Sequence, residues 1–217
     1  MGGRGSSYGI SVIEAVSKFK KGGKVRPLNV AGMTPTDRGS RFTNEKKTLK
    51  YIENKKMEIK TEQLQVIDDY GYVTKAFQGD EHSVTVDMGT INYMKDKTVT
   101  HNHPAAFGGT FSDADIYTLR YGMKELRASA KEGTYVMRAR HGADPEGFMN
   151  AYSHSASDLQ NKMRRIAKEV ARKKWPSYEV FEKENRKSQL KVLDMWYNEN
   201  ASAYGYDYIF EENSDYR

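Results

Sequence analysis

The chain has 217 residues, enough for one domain with a substantial core or for a catalytic domain with a helical appendage. Its net charge of +6 permits contact with nucleic acid or an acidic partner but favours it only mildly, and with 37% apolar residues much of the chain must stay solvated. The absence of cysteine excludes disulfides, thiolate zinc sites and a cysteine nucleophile, so a metal must be held by nitrogen and oxygen.

Residues 1–44 read as a loop-rich arm. They carry Gly2, Gly3, Gly5, Gly22, Gly23, Gly32 and Gly39 with Pro27 and Pro35, and only Ile10 to Phe19 has the spacing of a short amphipathic helix. The arm either docks a partner or stays poorly ordered. Neither an apolar leader at the start nor a run of roughly 18 to 20 apolar residues is present, so the expectation is a soluble, cytoplasmic protein with no membrane partner.

Residues 45–145 form the expected metal-binding domain. Asn44 to Lys60 reads as a charged helix, or a helix running into a strand, around Leu49, Tyr51, Ile52 and Met57. The period then changes to two: Glu62, Leu64, Val66 and Asp68 share one parity, Gly71 sits in a turn, and Tyr72 to Phe77 completes a hairpin. Ser83 to Asp87 reads as another short strand, with Val84 and Val86 on one face. Thr98 to Asn102 reads as a strand because β-branched residues precede the histidines, and Pro104 then ends its pairing. Ser112 is a good N-cap, and Ile116, Leu119, Met123 and Leu126 behind it predict a helix over 113–131. Gly133 stops that helix before a strand at Thr134 to Ala139. Residues 146–217 form a helical C-terminal extension, with helices at Ser157 to Lys174 and Tyr178 to about Asn200 broken at Trp175-Pro176. Its last residues are a tail rich in tyrosine and acidic side chains. The fold class expected is α/β, a mixed β-sheet with flanking helices plus the C-terminal extension.

The chemistry concentrates in Thr100-His101-Asn102-His103-Pro104 and the nearby Ser112-Asp113-Ala114-Asp115. Residues i and i+2 of a strand project to the same side, so His101 and His103 can reach one ion. Asp115 or Asp113 can add a carboxylate from the first helical turn, leaving a further position open to water, as a catalytic zinc site requires. The helix N-terminus would help keep that carboxylate ionised. His82, His141 and His154 read as non-ligands. The basic run Arg164, Arg165, Lys168, Arg172, Lys173 and Lys174 reads as the solvated face of a packed helix, or else as a docking surface for nucleic acid or an acidic protein.

The string His101-x-His103-Pro104 and then Ser112-x-x-Asp115, with a strand carrying Glu62 upstream, resembles the signature of JAB/JAMM zinc metalloproteases. The form His-Asn-His-Pro then Phe-Ser-x-x-Asp, with Gly79-Asp80-Glu81-His82-Ser83-Val84 before it, looks most like JAB-type domains of phage and mobile elements. The resemblance covers about residues 60 to 140. It implies a cytidine-deaminase-like layering, Zn2+ held by His101, His103 and Asp115, and Glu62 as the residue that activates water and passes its proton to the leaving amine. It also implies Ser112 as the donor to a developing oxyanion. Glu58 competes with Glu62 for the role of base. The implied activity is hydrolysis of peptide or isopeptide bonds in a protein or peptide substrate, in the host cytoplasm if the chain is phage-encoded. The alternative is a non-catalytic JAB-like module that docks on a host or virion protein, or on nucleic acid through the basic helix.

Overall fold

The computed structural model describes residues 26–27, 45–56, 59–80, 83–103 and 109–212. The predicted hairpin is present: Gln63–Ile67 (β2) and Val73–Gln78 (β3) pair antiparallel. Its turn is closed by Gly71 at φ 84°, and by the Asp68 carboxylate, which accepts from the backbone amides of Tyr70 and Tyr72. Arg26–Pro27 (β1) adds a short edge to β3. The predicted strand Thr98–Asn102 (β4) lies on the other side of β2, antiparallel to it. Glu125–Ala130 (β5) runs parallel to β4, and Gly133–Ala139 (β6) and Tyr206–Glu212 (β7) complete a mixed sheet of order β1-β3-β2-β4-β5-β6-β7. The class is therefore α/β, with helices flanking a mixed sheet.

The sheet has two differently built faces. Val66, Val99, Leu126 and Met137 point into the main core and meet Phe111, Ile116, Leu119, Phe148, Tyr152, Trp196 and Tyr197. The helices that cover this face are Asp113–Thr118 (α3), Pro145–Ala171 (α4) and Tyr178–Asn200 (α5). The opposite face is covered by Glu45–Lys56 (α1), the predicted charged helix, whose Leu49 and Ile52 pack on Ile67, Val73 and Ala76. This second face also buries charge. The Arg127 guanidinium meets Glu53 at 2.6 Å, Glu125 at 2.6 Å and Glu211 at 2.5 Å, and Lys56 donates to the Thr100 carbonyl at 3.3 Å. Met88–Tyr93 (α2) connects the hairpin to β4.

Several expectations are corrected. The helix predicted over 113–131 ends at Thr118, continues as a 3-10 turn over Leu119–Tyr121, and is stopped by Gly122 at φ 74°. The chain then enters the central strand β5 instead of continuing as helix. The segment Ser83 to Asp87 is not a strand; it leads to Asp87, whose carboxylate caps α2 by accepting from the Thr90 amide at 2.8 Å. The first C-terminal helix starts at Pro145 rather than Ser157, because Asp144 caps it through the Gly147 amide and Pro145 fits its first turn. The tyrosine-rich tail returns to the sheet as β7, with Tyr206 and Tyr208 turned to the main core. The expected helix at Ile10 to Phe19 lies outside the described residues. No helix among the described residues is long and apolar enough to cross a membrane.

Candidate metal centre

His101 is the fourth residue of β4 and His103 comes just after the strand's last residue, with the His103 amide still bonded to the Ser129 carbonyl on β5 at 2.8 Å. The extended backbone carries through both, so both rings leave the sheet on the main-core face. Their Nε2 atoms stand 3.1 Å apart. Asp115, in the first turn of α3, offers one carboxylate oxygen to each ring: 3.0 Å to His101 Nε2 and 3.4 Å to His103 Nε2. Taking one ligand atom from each residue, the three lie within 4.8 Å of one another, and the group could hold a metal ion. A zinc ion with bonds of about 2.0–2.1 Å to tetrahedral ligands sets neighbouring donors about 3.3 Å apart, so these contacts have the right scale.

The surroundings favour positive charge between the three donors. His103 Nδ1 is 2.9 Å from the Gly109 carbonyl, which can only accept, so Nδ1 carries a proton and Nε2 is left to face Asp115. Burial opposes charge on His103, but the hydrogen bond and charge of Asp115, with the charge of Glu62, push it up to about 9. Burial also opposes ionisation of Asp115, yet His101 and His103 hold that carboxyl well below the ordinary carboxylate range. An ion pair of this kind is what a cation in the same place would replace.

The orientation of Asp115 is fixed locally. Its Oδ2 accepts from both the amide and the hydroxyl of Ser112, each at 2.7 Å, and its own amide donates back to Ser112 Oγ at 3.3 Å. This is a capping box with aspartate in the place usually held by glutamate. Asp113 is turned away, its carboxylate accepting from the Tyr152 hydroxyl on α4. Between the two alternatives left open by spacing, Asp115 faces the histidines.

Glu62 comes to the same place from the residue just before β2. Leu64 pairs with His101 across the β2–β4 ladder, so the two share a face, and Glu62, two residues earlier, projects to that face as well. It is buried, and burial first, then the charge of Asp115, pushes its carboxyl up to about 8. Glu58 lies outside the described residues.

Asn102 is a residue that sequence reasoning misses. Its side chain points to the opposite face, is fully buried, accepts from the Gln63 amide at 2.7 Å and donates to the Thr61 carbonyl at 3.1 Å. It thereby grips the backbone on both sides of Glu62. A polar residue between two histidines of a strand, on the parity facing away from the site, is the only mark it leaves in the sequence. Gly109, at φ 110°, holds its carbonyl to His103 while Leu190 fills the space where a side chain would start. His141 and His154 are exposed and stand outside the group, and His154 Nδ1 is bonded to the Asn150 carbonyl. His82 lies outside the described residues. No protein-family model, curated protein or solved structure matches the chain.

Proposed function

We propose that the chain is a zinc-dependent hydrolase of peptide or isopeptide bonds with JAB/JAMM layering, acting on a protein or peptide substrate in a phage or mobile-element setting. The observation that carries this reading is the convergence of a buried glutamate from the start of β2 on a His, His, Asp group assembled from the end of β4 and the first turn of α3. A structural site needs only the ligands; a titratable carboxylate beside them is what hydrolysis adds.

Bound at His101, His103 and Asp115, zinc would supply Lewis acidity toward a water molecule and a substrate carbonyl. Glu62 takes the proton of the attacking water and returns it to the leaving nitrogen. Its carboxyl, near 8 beside Asp115, falls toward neutrality when a cation stands beside it, which keeps the base ionised in the working range. His103 is held in one tautomer by Gly109, and Asp115 is held by Ser112, so the ligand atoms need little rearrangement. Ser112 serves as oxyanion donor once its hydroxyl turns from Asp115 to the substrate.

That last requirement supports the second reading, a binding module with a structural ion, since Ser112 gives its single hydroxyl proton to Asp115. Glu62→Gln separates the two. With zinc-loaded protein and a quenched-fluorescent peptide and isopeptide panel, the variant keeps stoichiometric zinc and loses about 100-fold or more in turnover. Equal turnover in variant and parent rejects Glu62 as the base, and no turnover by the parent on any probe favours the binding module.

A further inference from the structure

Charge is segregated in this molecule by element. Residues 161–191, the distal half of α4, the turn and the first half of α5, contain eleven basic and four acidic residues, net +7. Residues 45–160 together with 192–212, which build the sheet and the metal centre, contain fifteen basic and twenty-two acidic residues, net −7. No residue between Ile166 and Leu190 belongs to the main core among the described residues, so this stretch of the helical hairpin is not held by the packing behind the sheet. At 100° per residue, Arg164, Arg165, Lys168 and Arg172 fall within an arc of about 100°, opposite Leu159 and Ile166, which pack on the main core, and Val170, which is buried outside it.

All four of those basic residues are exposed, and none forms an ion pair among the described residues. An ordinary solvated helix face interleaves both signs at i, i+4 and gains from the pairs. Here Arg164, Lys168 and Arg172 repeat like charge at i, i+4, and Glu169, four residues after Arg165, is the one acidic residue in the run 161–174; the excess of positive charge costs stability unless something outside the chain neutralises it.

We propose that the α4 face of the hairpin docks on the phosphate backbone of duplex DNA. The chemistry of the arc selects the partner. It is arginine-rich, which suits bidentate phosphate contacts, and it spans a little over two helical turns. A helix of about 10–12 Å fits a B-form major groove about 12 Å wide, whereas the A-form RNA major groove is too narrow. A lipid surface is disfavoured because the arc lacks the large apolar side chains that interfacial helices insert beside their basic ones. The net −7 of the body turns the metal centre away from the polyanion and sets one orientation of docking. The surface is independent of hydrolysis at the metal centre.

The test is fluorescence anisotropy of the full chain with a labelled DNA duplex of about 20 base pairs, titrated between about 50 and 200 mM salt. The expected result is binding that weakens steeply with salt. The fourfold variant R164E/R165E/K168E/R172E, folded by its melting curve, should bind about 100-fold more weakly at the lowest salt and lose about three to four from the log–log salt slope. Reversing Lys18, Lys20, Lys21 and Lys24 in the basic N-terminal arm should leave most of the affinity. Equal affinity of the fourfold variant and parent overturns the proposal, as does binding insensitive to salt. So does tighter retention on phosphatidylserine vesicles or duplex RNA than on DNA.

Discussion

At Lys56 the physics of one buried ammonium can be isolated. It sits at the end of α1, 2% exposed, and burial brings it down to about 7 against the pull of Glu53. Between about 7 and 10.5 the unfolded chain therefore holds a proton that the folded chain has released. Stability rises with pH through that window and is lost as pH falls toward 7, by a few kcal/mol at most. Lys56→Met removes the dependence, so melting temperatures of parent and variant measured from pH 6 to pH 10 should converge as pH rises. Parallel profiles would mean that the ammonium is not desolvated. The same reasoning separates Glu62 from a solvated strand glutamate: what marks it is burial beside Asp115, which no spacing in the sequence reveals.

Among the elements, β2 and β4 are coupled by one side chain. Asn102→Ala leaves the Gln63 amide and the Thr61 carbonyl without their partner, a loss of about 1–3 kcal/mol in unfolding free energy by denaturant titration. Because those two groups flank Glu62, turnover should fall further than zinc affinity does. Equal losses in both would assign Asn102 to the fold alone. Of α4 only the part after Ser157 was legible; strand β4, the hairpin and α5 were legible because pattern and punctuation agree: β-branched residues before the histidines, Gly71 in its turn, the break at Trp175-Pro176 before Tyr178. The stretch after α3 was not. Ile116, Leu119, Met123 and Leu126 keep helical spacing across a chain that turns at Gly122, and Leu126 belongs to a strand facing the same core. The alternation Glu125-Leu126-Arg127-Ala128-Ser129-Ala130 is that of a strand, but its polar half is buried and paired with partners as distant as Glu53 and Glu211. Partners that far apart in the chain are set by the tertiary fold and leave no local pattern. The gathering of His101, His103 and Asp115, a group that could hold a metal ion, was legible for the opposite reason, since two of its members lie on one extended stretch and the third shares a capping box with Ser112.

The whole molecule divides its labour between two sides of one sheet. One side packs aromatic rings from α4, α5 and β7 behind the histidines, with Tyr197 donating to the Phe111 carbonyl and Tyr208 bonded to Thr110, so the loop that carries Gly109 is anchored from the C-terminal elements. The other side ties α1 to β5, β6 and β7 through Glu53, Arg127, Thr134 and Glu211. The His101, His103 and Asp115 group, which could hold a metal ion, lies where the first side meets the end of β4, and its members come from segments brought together only when the sheet is complete. Metal binding should therefore stabilise the fold. The measurement that tests this most directly is anomalous diffraction at the zinc edge from crystals of zinc-loaded protein, paired with the same protein carrying His101→Ala. One ion per chain, about 2.0–2.2 Å from His101, His103 and Asp115 and lost in the variant, is the predicted result. Protein with no stoichiometric zinc, or zinc bound at residues other than these three, would contradict it.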